Sequence, residues 1–393
     1  MSNVLFVSHT AECGGAERVL VSLMAELKGR SFALSLAVPS EGPLLDNCED
    51  LLESSNTHGL NFASGSAPFV LALLLITPRF LRAEWRLWKF AGATQPDIIH
   101  ANSLFAALLV AIPAHLRKTP VVWHMHDIIL PRRMPSWLPP LLAHFVSRIV
   151  CVSNAVRVSL LALGVPCEKC GVNFDAAPTP RVPVESRTSL RGEYGIPIEA
   201  PLVGTIGRLA HSKGQHSLIA ATSRIVEEFP EARFVVVGEV MHGAPSYERE
   251  YEKMLYSLAR EKPASSGIIF TGQREDVEMI LSELDVFVHS PVAPDPCPLV
   301  ISEAMRLGCQ IVATETGGIP EQLNGGCGVL VRPDSPDELA EAIVGILAED
   351  PKDREARASR ARERAAAVFS QQARAECLVS VYREVRRARQ RAG

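Results

Sequence analysis

The feature that most constrains this chain is a rhythm of short β-branched and aliphatic runs, each ending in glycine or a polar residue and each followed by apolar residues at helical spacing. In the C-terminal half, residues 202–208 (LVGTIGR), 233–238 (RFVVVG), 268–272 (IIFTG), 285–290 (DVFVHS) and 310–314 (QIVAT) are such runs. Their N-terminal counterparts are residues 4–7, 97–100, 121–127 and 149–154. Continuous apolar strands alternating with helices imply parallel sheets, because each crossover between parallel strands must cover a face of the sheet. The expected class is α/β with doubly wound, Rossmann-like sheets. At 393 residues the chain exceeds one ordinary core. Residues 176–200, with Pro178, Pro180, Pro183 and Pro197 and few apolar side chains, mark the break. The expected domains are 1–178 and 179–375, with 376–393 as a terminal helix.

Composition narrows the function classes. Apolar residues at 47% and charged residues at 21% describe a globular protein rather than a disordered one. A net charge of −4 argues against nucleic acid as a partner. The nine cysteines are scattered, and residues 3–7 already read as a strand, so a reduced, cytoplasmic setting is expected. Cys167 and Cys170 have CxxC spacing but no second pair, and read as two ordinary thiols.

The run FVLALLLI at 69–76 is too short to span a bilayer and is bounded by Pro68 and Pro78. Next comes a basic amphipathic segment. In it Arg79, Arg82, Arg86 and Lys89 form one stripe, and Phe80, Leu81, Trp85 and Trp88 another. Two readings stand: a helix lying in a membrane interface, or a core-facing helix with a solvated basic side. Arg132, Arg133, Met134 and Trp137 repeat the basic and apolar theme, so peripheral attachment at the inner face of a membrane is a further expectation.

The richest stretch is residues 295–321 (DPCPLVISEAMRLGCQIVATETGGIPE). Asp295 and Glu303 bracket the start of a helix that begins near Pro298, with Leu299, Val300, Met305 and Leu307 as its apolar members. Carboxylates grip hydroxyls well, and the amides of Cys297 and Leu299 add donors beside them. Pro296 and Pro298 have no N–H to offer. Gly317 and Gly318 permit a close backbone approach to a ligand. Upstream, Arg208 and Lys213 stand five apart between Gly207 and Gly214, a spacing that suits one diphosphate. Gly14 and Gly15 before a helix form an anion nest. His124 and His126 lie at the polar end of a strand, as does Asn102 of the preceding strand, where open α/β sheets bind ligands. A histidine there can donate to a hydroxyl or accept its proton.

This set resembles the retaining glycosyltransferases of family 4, which have the GT-B fold of two Rossmann-like domains facing across a cleft. The match is carried by Asp295, Glu303-Ala304-Met305, Gly308 and Gly317-Gly318-Ile319-Pro320-Glu321, with the Gly207-Arg208 and Lys213-Gly214 loop. The resemblance implies transfer of a hexose-type sugar from a nucleotide-diphosphate sugar to a hydroxyl acceptor, in glycan, glycolipid or polysaccharide synthesis. It implies no cofactor and no essential metal. Arg208 and Lys213 would neutralise the diphosphate, Asp295 would hold the transferred sugar and Glu303 the ribose. Gly15, Gly207, Gly238, Thr271, Cys297 and Leu299 would complete the donor site. Gly14, Gly15, His126 and Asn102 would face the acceptor, with His126 joining Arg208, Lys213 and Asp295 in catalysis.

Two departures from the family pattern stand out. Asp295-Pro296-Cys297-Pro298 replaces Glu-x-Phe-Gly, and Val172-Asn173-Phe174-Asp175 lacks the glycine of an Asn-Gly-Val-Asp turn. They keep open a degenerate protein that binds a nucleotide sugar or a partner without turnover. An epimerase or phosphorylase of the same fold is the other alternative. The resemblance also implies a last helix, at about 377–387, that returns to the N-terminal domain.

Overall fold

The two strand series form two separate parallel sheets in the computed structural model, which describes residues 2–60, 77–130, 135–177, 189–241, 244–262 and 267–392. The chain divides into one unit of Met1–Pro178 with Ser370–Gly393 and a second of Thr179–Phe369. The segments 69–76 and 132–134 singled out above lie outside the described residues.

In the first unit the strands are β1 (Ser2–Val7), β2 (Phe32–Val38), β3 (Ser54–Thr57), β4 (Ile98–Ala101), β5 (Val121–Met125), β6 (Arg148–Cys151) and β7 (Cys170–Val172). Their order is β3-β2-β1-β4-β5-β6-β7, all parallel. The chain moves outward from β1 to β3 and then returns to β4. The C-terminal ends of β1 and β4 are therefore the topological switch point, where flanking loops diverge and leave a crevice.

One face of this sheet is covered by the Gly15–Gly29 helix and the C-terminal Gln371–Ala392 helix. Leu20, Leu23, Met24 and Leu27 of the first pack with Leu378, Tyr382 and Val385 of the second, over Val4, Phe6 and Leu34. Such a core stabilises by about 25 cal/mol per Å² of apolar surface buried. The terminal helix starts at Gln371 and the unit boundary falls at Ser370, several residues before 376. Ala375 is already fully buried there, and so is the Arg374 side chain, which donates to the Val19 carbonyl and to Ser22 Oγ. Counting apolar periodicity passes over such an arginine.

In the Pro78–Thr94 helix the basic stripe is exposed, and so is most of the apolar stripe. Of the four apolar residues placed on one stripe only Phe80 turns inward, and its buried companions are Ala83, Leu87, Phe90 and Ala91. Leu81, Trp85 and Trp88 stand 58%, 53% and 38% exposed. No helix among the described residues is long and apolar enough to cross a membrane.

The second unit has β8 (Leu202–Ile206), β9 (Arg233–Val237), β10 (Ile268–Gly272), β11 (Val286–His289), β12 (Ile311–Thr314) and β13 (Val329–Val331), in the order β10-β9-β8-β11-β12-β13. Val203, Phe234, Val286, Val288 and Val312 form its core with Leu218 and Ile225 on one helix and Leu339 and Ile343 on another. Its switch point lies between β8 and β11. The loops carrying Arg208 to Gly214 and Pro291 to Pro298 leave the sheet side by side there.

Candidate active site

In the second unit two glycines seat these loops. Gly214 has φ +67°, and a Cβ on it would lie 1.9 Å from the Ser290 carbonyl oxygen. Ser290 Oγ donates to the Gly214 carbonyl at 2.9 Å, and the Val292 amide donates to the Ser212 carbonyl at 3.1 Å. Gly317, at φ +59°, leaves room for the Asp295 backbone, whose carbonyl oxygen would be 2.1 Å from an added Cβ. That carbonyl also accepts the Gly318 amide at 2.8 Å. Within the protein, the close approach that Gly317 allows is to the Asp295 backbone.

Held this way, Asp295 becomes the hub of a buried cluster. Lys213 Nζ lies 2.5 Å from its Oδ2, and His289 Nε2 lies 3.2 Å from the same oxygen. Burial alone would raise the Asp295 carboxyl. The Lys213 charge and the bonds from His289 and Lys213 outweigh it and hold the group well below the usual carboxylate range. Burial keeps His289 neutral-favouring, against the pull of Asp295. Sequence reading passed over His289 because it reads as one more residue of a strand.

Arg208 is less enclosed, with its Nη1 3.7 Å from Glu248 Oε1 and its carbonyl accepting from Gln215 Nε2 at 2.8 Å. The two cations assigned to one diphosphate thus each face a carboxylate, Glu248 for Arg208 and Asp295 for Lys213. The second Glu248 oxygen is buried and has no hydrogen-bond partner. Gly207 has φ +154° and open space where a Cβ would be, whereas a Cβ on Gly238 would meet the Gly207 carbonyl oxygen at 2.1 Å. Thr271 Oγ1 donates to the Gly272 carbonyl at 3.0 Å at the end of β10.

The helix bearing Glu303 runs Leu299–Leu307 after Pro298. Its buried face is Ile301, Ala304 and Met305, with Leu299, Val300 and Glu303 half-buried, Leu307 exposed and Cys297 buried just before it. The expected apolar members Val300 and Leu307 are thus off the inward face, because Ala304 takes a place that a count of large residues gives to them.

In the first unit the switch point collects histidines. His126 Nδ1 lies 3.1 Å from Asp175 Oδ2, and its Nε2 lies 3.1 Å from Asn102 Oδ1. Burial lowers the His126 pKa, but the charge and hydrogen bond of Asp175 overcome it, and the group titrates above its ordinary value. Both ring nitrogens of His126 already lie within hydrogen-bond reach of a protein oxygen, Nδ1 of the Asp175 carboxylate and Nε2 of the Asn102 amide. His124 and His100 are pushed the other way by burial and by the His126 charge, His100 to about 3. His100 Nδ1 is fixed by Tyr382 Oη at 2.7 Å.

Asp175, in the turn that lacks the family glycine, is thus the anchor of His126. The neighbouring Asn173 ties that turn to the terminal helix through Nδ2 to the Arg374 carbonyl at 3.1 Å. Gly14 and Gly15 open the first helix as expected, with Gly14 at the N-cap. The buried Glu17 carboxylate sits against this turn, its Oε2 3.0 Å from where a Cβ on Gly14 would lie, and burial raises its pKa. The sequence indicated no metal site. Among the described residues the fold brings His124, His126 and Asp175 ligand atoms within 4.8 Å of one another, a donor set that suits a transition metal. Cys170 has its thiol partner in Cys151 on the adjacent strand rather than in Cys167.

A family model described as "Glycosyl transferases group 1" matches residues 186–364, and one described as "Glycosyltransferase Family 4" matches residues 13–172. The chain belongs to glycosyltransferase family 4. The first matched region contains Arg208, Lys213, Asp295 and Glu303, and the second contains Asn102 and His126 but stops short of Asp175. This family 4 glycosyltransferase is 27% identical over 326 residues to alpha-maltose-1-phosphate synthase of Mycolicibacterium smegmatis, covering 75% of this chain and 80% of that protein. It is 31% identical over 236 residues to D-inositol 3-phosphate glycosyltransferase of Corynebacterium urealyticum, covering 59% of this chain and 52% of that protein. Its fold is similar to that of HepE of Anabaena, solved in complex with UDP, with a TM-score of 0.79 at 23% identity over 98% of this chain and all of that one. The two Rossmann-like domains are those of the GT-B class.

Proposed function

We propose that this glycosyltransferase moves a hexose-type sugar, with retention at the anomeric carbon, from a nucleotide-diphosphate sugar to a hydroxyl acceptor in glycan, glycolipid or polysaccharide synthesis. The observation that carries the reading is the Lys213–Asp295–His289 cluster at the second switch point, with Arg208 one loop-width away. An ionised Asp295 accepts hydrogen bonds from sugar hydroxyls, and His289 fixes which oxygen faces them. Lys213 and Arg208 stabilise the negative charge that develops on the departing diphosphate. Glu303 takes the ribose hydroxyls. In the first unit His126, held by Asp175 and Asn102, is oriented at the end of its strand to face the acceptor. No covalent nucleophile is needed where the acceptor attacks on the face that the diphosphate leaves.

Relatives are named for transfer to inositol 3-phosphate and for GDP-mannose-dependent transfer to a phosphatidylinositol mannoside, which supports sugar transfer but selects no single donor. The test is to incubate UDP-, GDP- and ADP-sugars with and without hydroxyl acceptors, measure nucleotide release, and determine the anomeric configuration of the product by NMR. Acceptor-dependent release with a retained anomer is expected, unchanged by EDTA. Release without acceptor-linked product, or an inverted anomer, would overturn the reading. Loss of turnover in EDTA, restored by a divalent ion, would assign the His124, His126 and Asp175 group a working metal instead.

A further inference from the structure

The outer side of the Pro78–Thr94 helix combines exposed cations with exposed large apolar side chains. Arg79, Arg82, Arg86 and Lys89 are all exposed along one stripe, and Leu81, Trp85 and Trp88 are exposed along the adjacent one. The only acid on this helix, Glu84, is turned inward, where burial pushes its carboxyl up to about 7. The exposed surface of the helix therefore carries four cations and no anion, in a chain whose net charge is −4.

The neighbouring Leu104–Leu116 helix extends the surface. Ile112 and Leu116 are 50% and 68% exposed, and Trp88, Leu116 and Arg117 line one shallow hollow. Two of the tryptophans are capped by cations, with Lys89 Nζ 3.9 Å from the centre of the Trp85 ring and the Arg117 guanidinium 4.2 Å from the centre of the Trp88 ring. Arg117 Nε also donates to the Trp88 carbonyl at 2.6 Å.

We infer that this face of the first unit docks on an anionic lipid bilayer, with Leu81, Trp85, Trp88 and Leu116 entering the headgroup layer and Arg79, Arg82, Arg86 and Lys89 meeting lipid phosphates. Tryptophan edges and aliphatic side chains are at home at the depth of the headgroups. Each lysine or arginine near an anionic surface strengthens attachment about fivefold. A nucleic acid fits less well, because the cations lie over the tryptophan ring faces that bases would stack on, and aliphatic side chains give bases nothing to stack against. The inference is independent of the transfer reaction, and its test needs no substrate.

The full chain is floated with phosphatidylcholine vesicles, with and without about one third phosphatidylglycerol. Flotation with the anionic vesicles only, reversed by high salt, is the expected result. Brominated lipid should quench the fluorescence of Trp85 and Trp88 in a Trp137→Phe background, leaving the buried Trp123 unaffected. Joint replacement of Arg82, Arg86 and Lys89 by Ser should weaken attachment about a hundredfold. Joint replacement of Leu81, Trp85 and Trp88 by Ser should abolish the quenching.

Equal flotation with both vesicle types would overturn the inference, as would either triple variant, shown folded by near-UV circular dichroism, floating like the parent. A dimer that dissolves in the Leu81, Trp85 and Trp88 variant, without vesicle binding by the parent, would make the face a self-contact and refute the bilayer. Oligonucleotide binding without flotation would refute it as well. Should a triple variant fail to fold, the single charge reversals Arg82→Glu and Lys89→Glu make the same comparison.

Discussion

The two switch points share one topology and solve different electrostatic problems. In the second unit a buried carboxylate is kept ionised by a lysine that is itself partly exposed, and the pair is set by glycines whose contacts are with the facing loop. In the first unit Asp175 raises the pKa of a buried histidine, and the surrounding residues come from distant parts of the chain, including Arg374 and Tyr382 of the terminal helix. In the proposed reaction the second arrangement serves exchange, with Lys213 and Arg208 trading a carboxylate for a phosphate. The first is built for permanence, since both ring nitrogens of His126 are already committed.

The largest expected effect separates glycines that touch backbone from glycines that face open space. Gly214→Ala places a Cβ on the Ser290 carbonyl in addition to its positive φ and should cost about 4 kcal/mol or more, read by chemical denaturation. Gly207→Ala meets no atom and should cost about 1–3 kcal/mol of backbone strain, with donor affinity falling more than stability. Equal costs at the two positions would erase the distinction between a loop lock and a ligand-facing turn.

Asp175→Asn comes next, and it probes the first unit. Removing the anion leaves a buried His126 without its counter-charge and should cost about 3 kcal/mol near pH 6. The sign is set by linkage. His126 has a raised folded pKa, so the stability it contributes is fully present below its unfolded value near 6.5 and is lost as pH rises through the raised value. Asp295 has a depressed pKa, so its contribution is present above about 3.8 and is lost only in strong acid. Between pH 6 and 9 the first pair should therefore lose stability and the second should not. In the Asp175→Asn protein, NMR titration should show the His126 pKa lowered; an unmoved pKa would mean that Asp175 does not hold the charge.

The smallest expected effect concerns His289. His289→Ala should lower turnover about tenfold with little change in nucleotide affinity, while His289→Asn, which keeps a donor, should recover part of it. A loss confined to nucleotide affinity would move His289 from positioning the sugar-facing carboxylate to shaping the nucleotide pocket.

The same contrast explains what could be read from the sequence. Both sheets were legible because strand, glycine turn and helix are local patterns; Arg208 and Lys213 stood out as candidates because glycines flank their loop, and Asp295 because it stands eight positions before Glu303. Two features were not. The order of His126, Asp175 and Arg374 along the chain gives no sign that they meet, since Asn173 and Arg374 are 201 residues apart. On the Pro78–Thr94 helix, the apolar stripe counted from the sequence took in Trp85 and Trp88, which stand exposed, and left out Ala83, Leu87, Phe90 and Ala91, which satisfy the same period and are buried. Alanine weighs little in a hydrophobic count and much in a tight helix-to-sheet contact.

The most direct test of the account is isothermal titration of the parent protein, Arg208→Ala and Lys213→Ala with the nucleotide-diphosphate sugar selected by the donor panel, and with the matching nucleoside monophosphate. If these two cations exchange their carboxylates for the diphosphate, each variant should bind the sugar nucleotide at least tenfold more weakly. Both should bind the monophosphate nearly as the parent does. Parent-like affinity for the sugar nucleotide in both variants would contradict the assignment of the diphosphate to the second switch point.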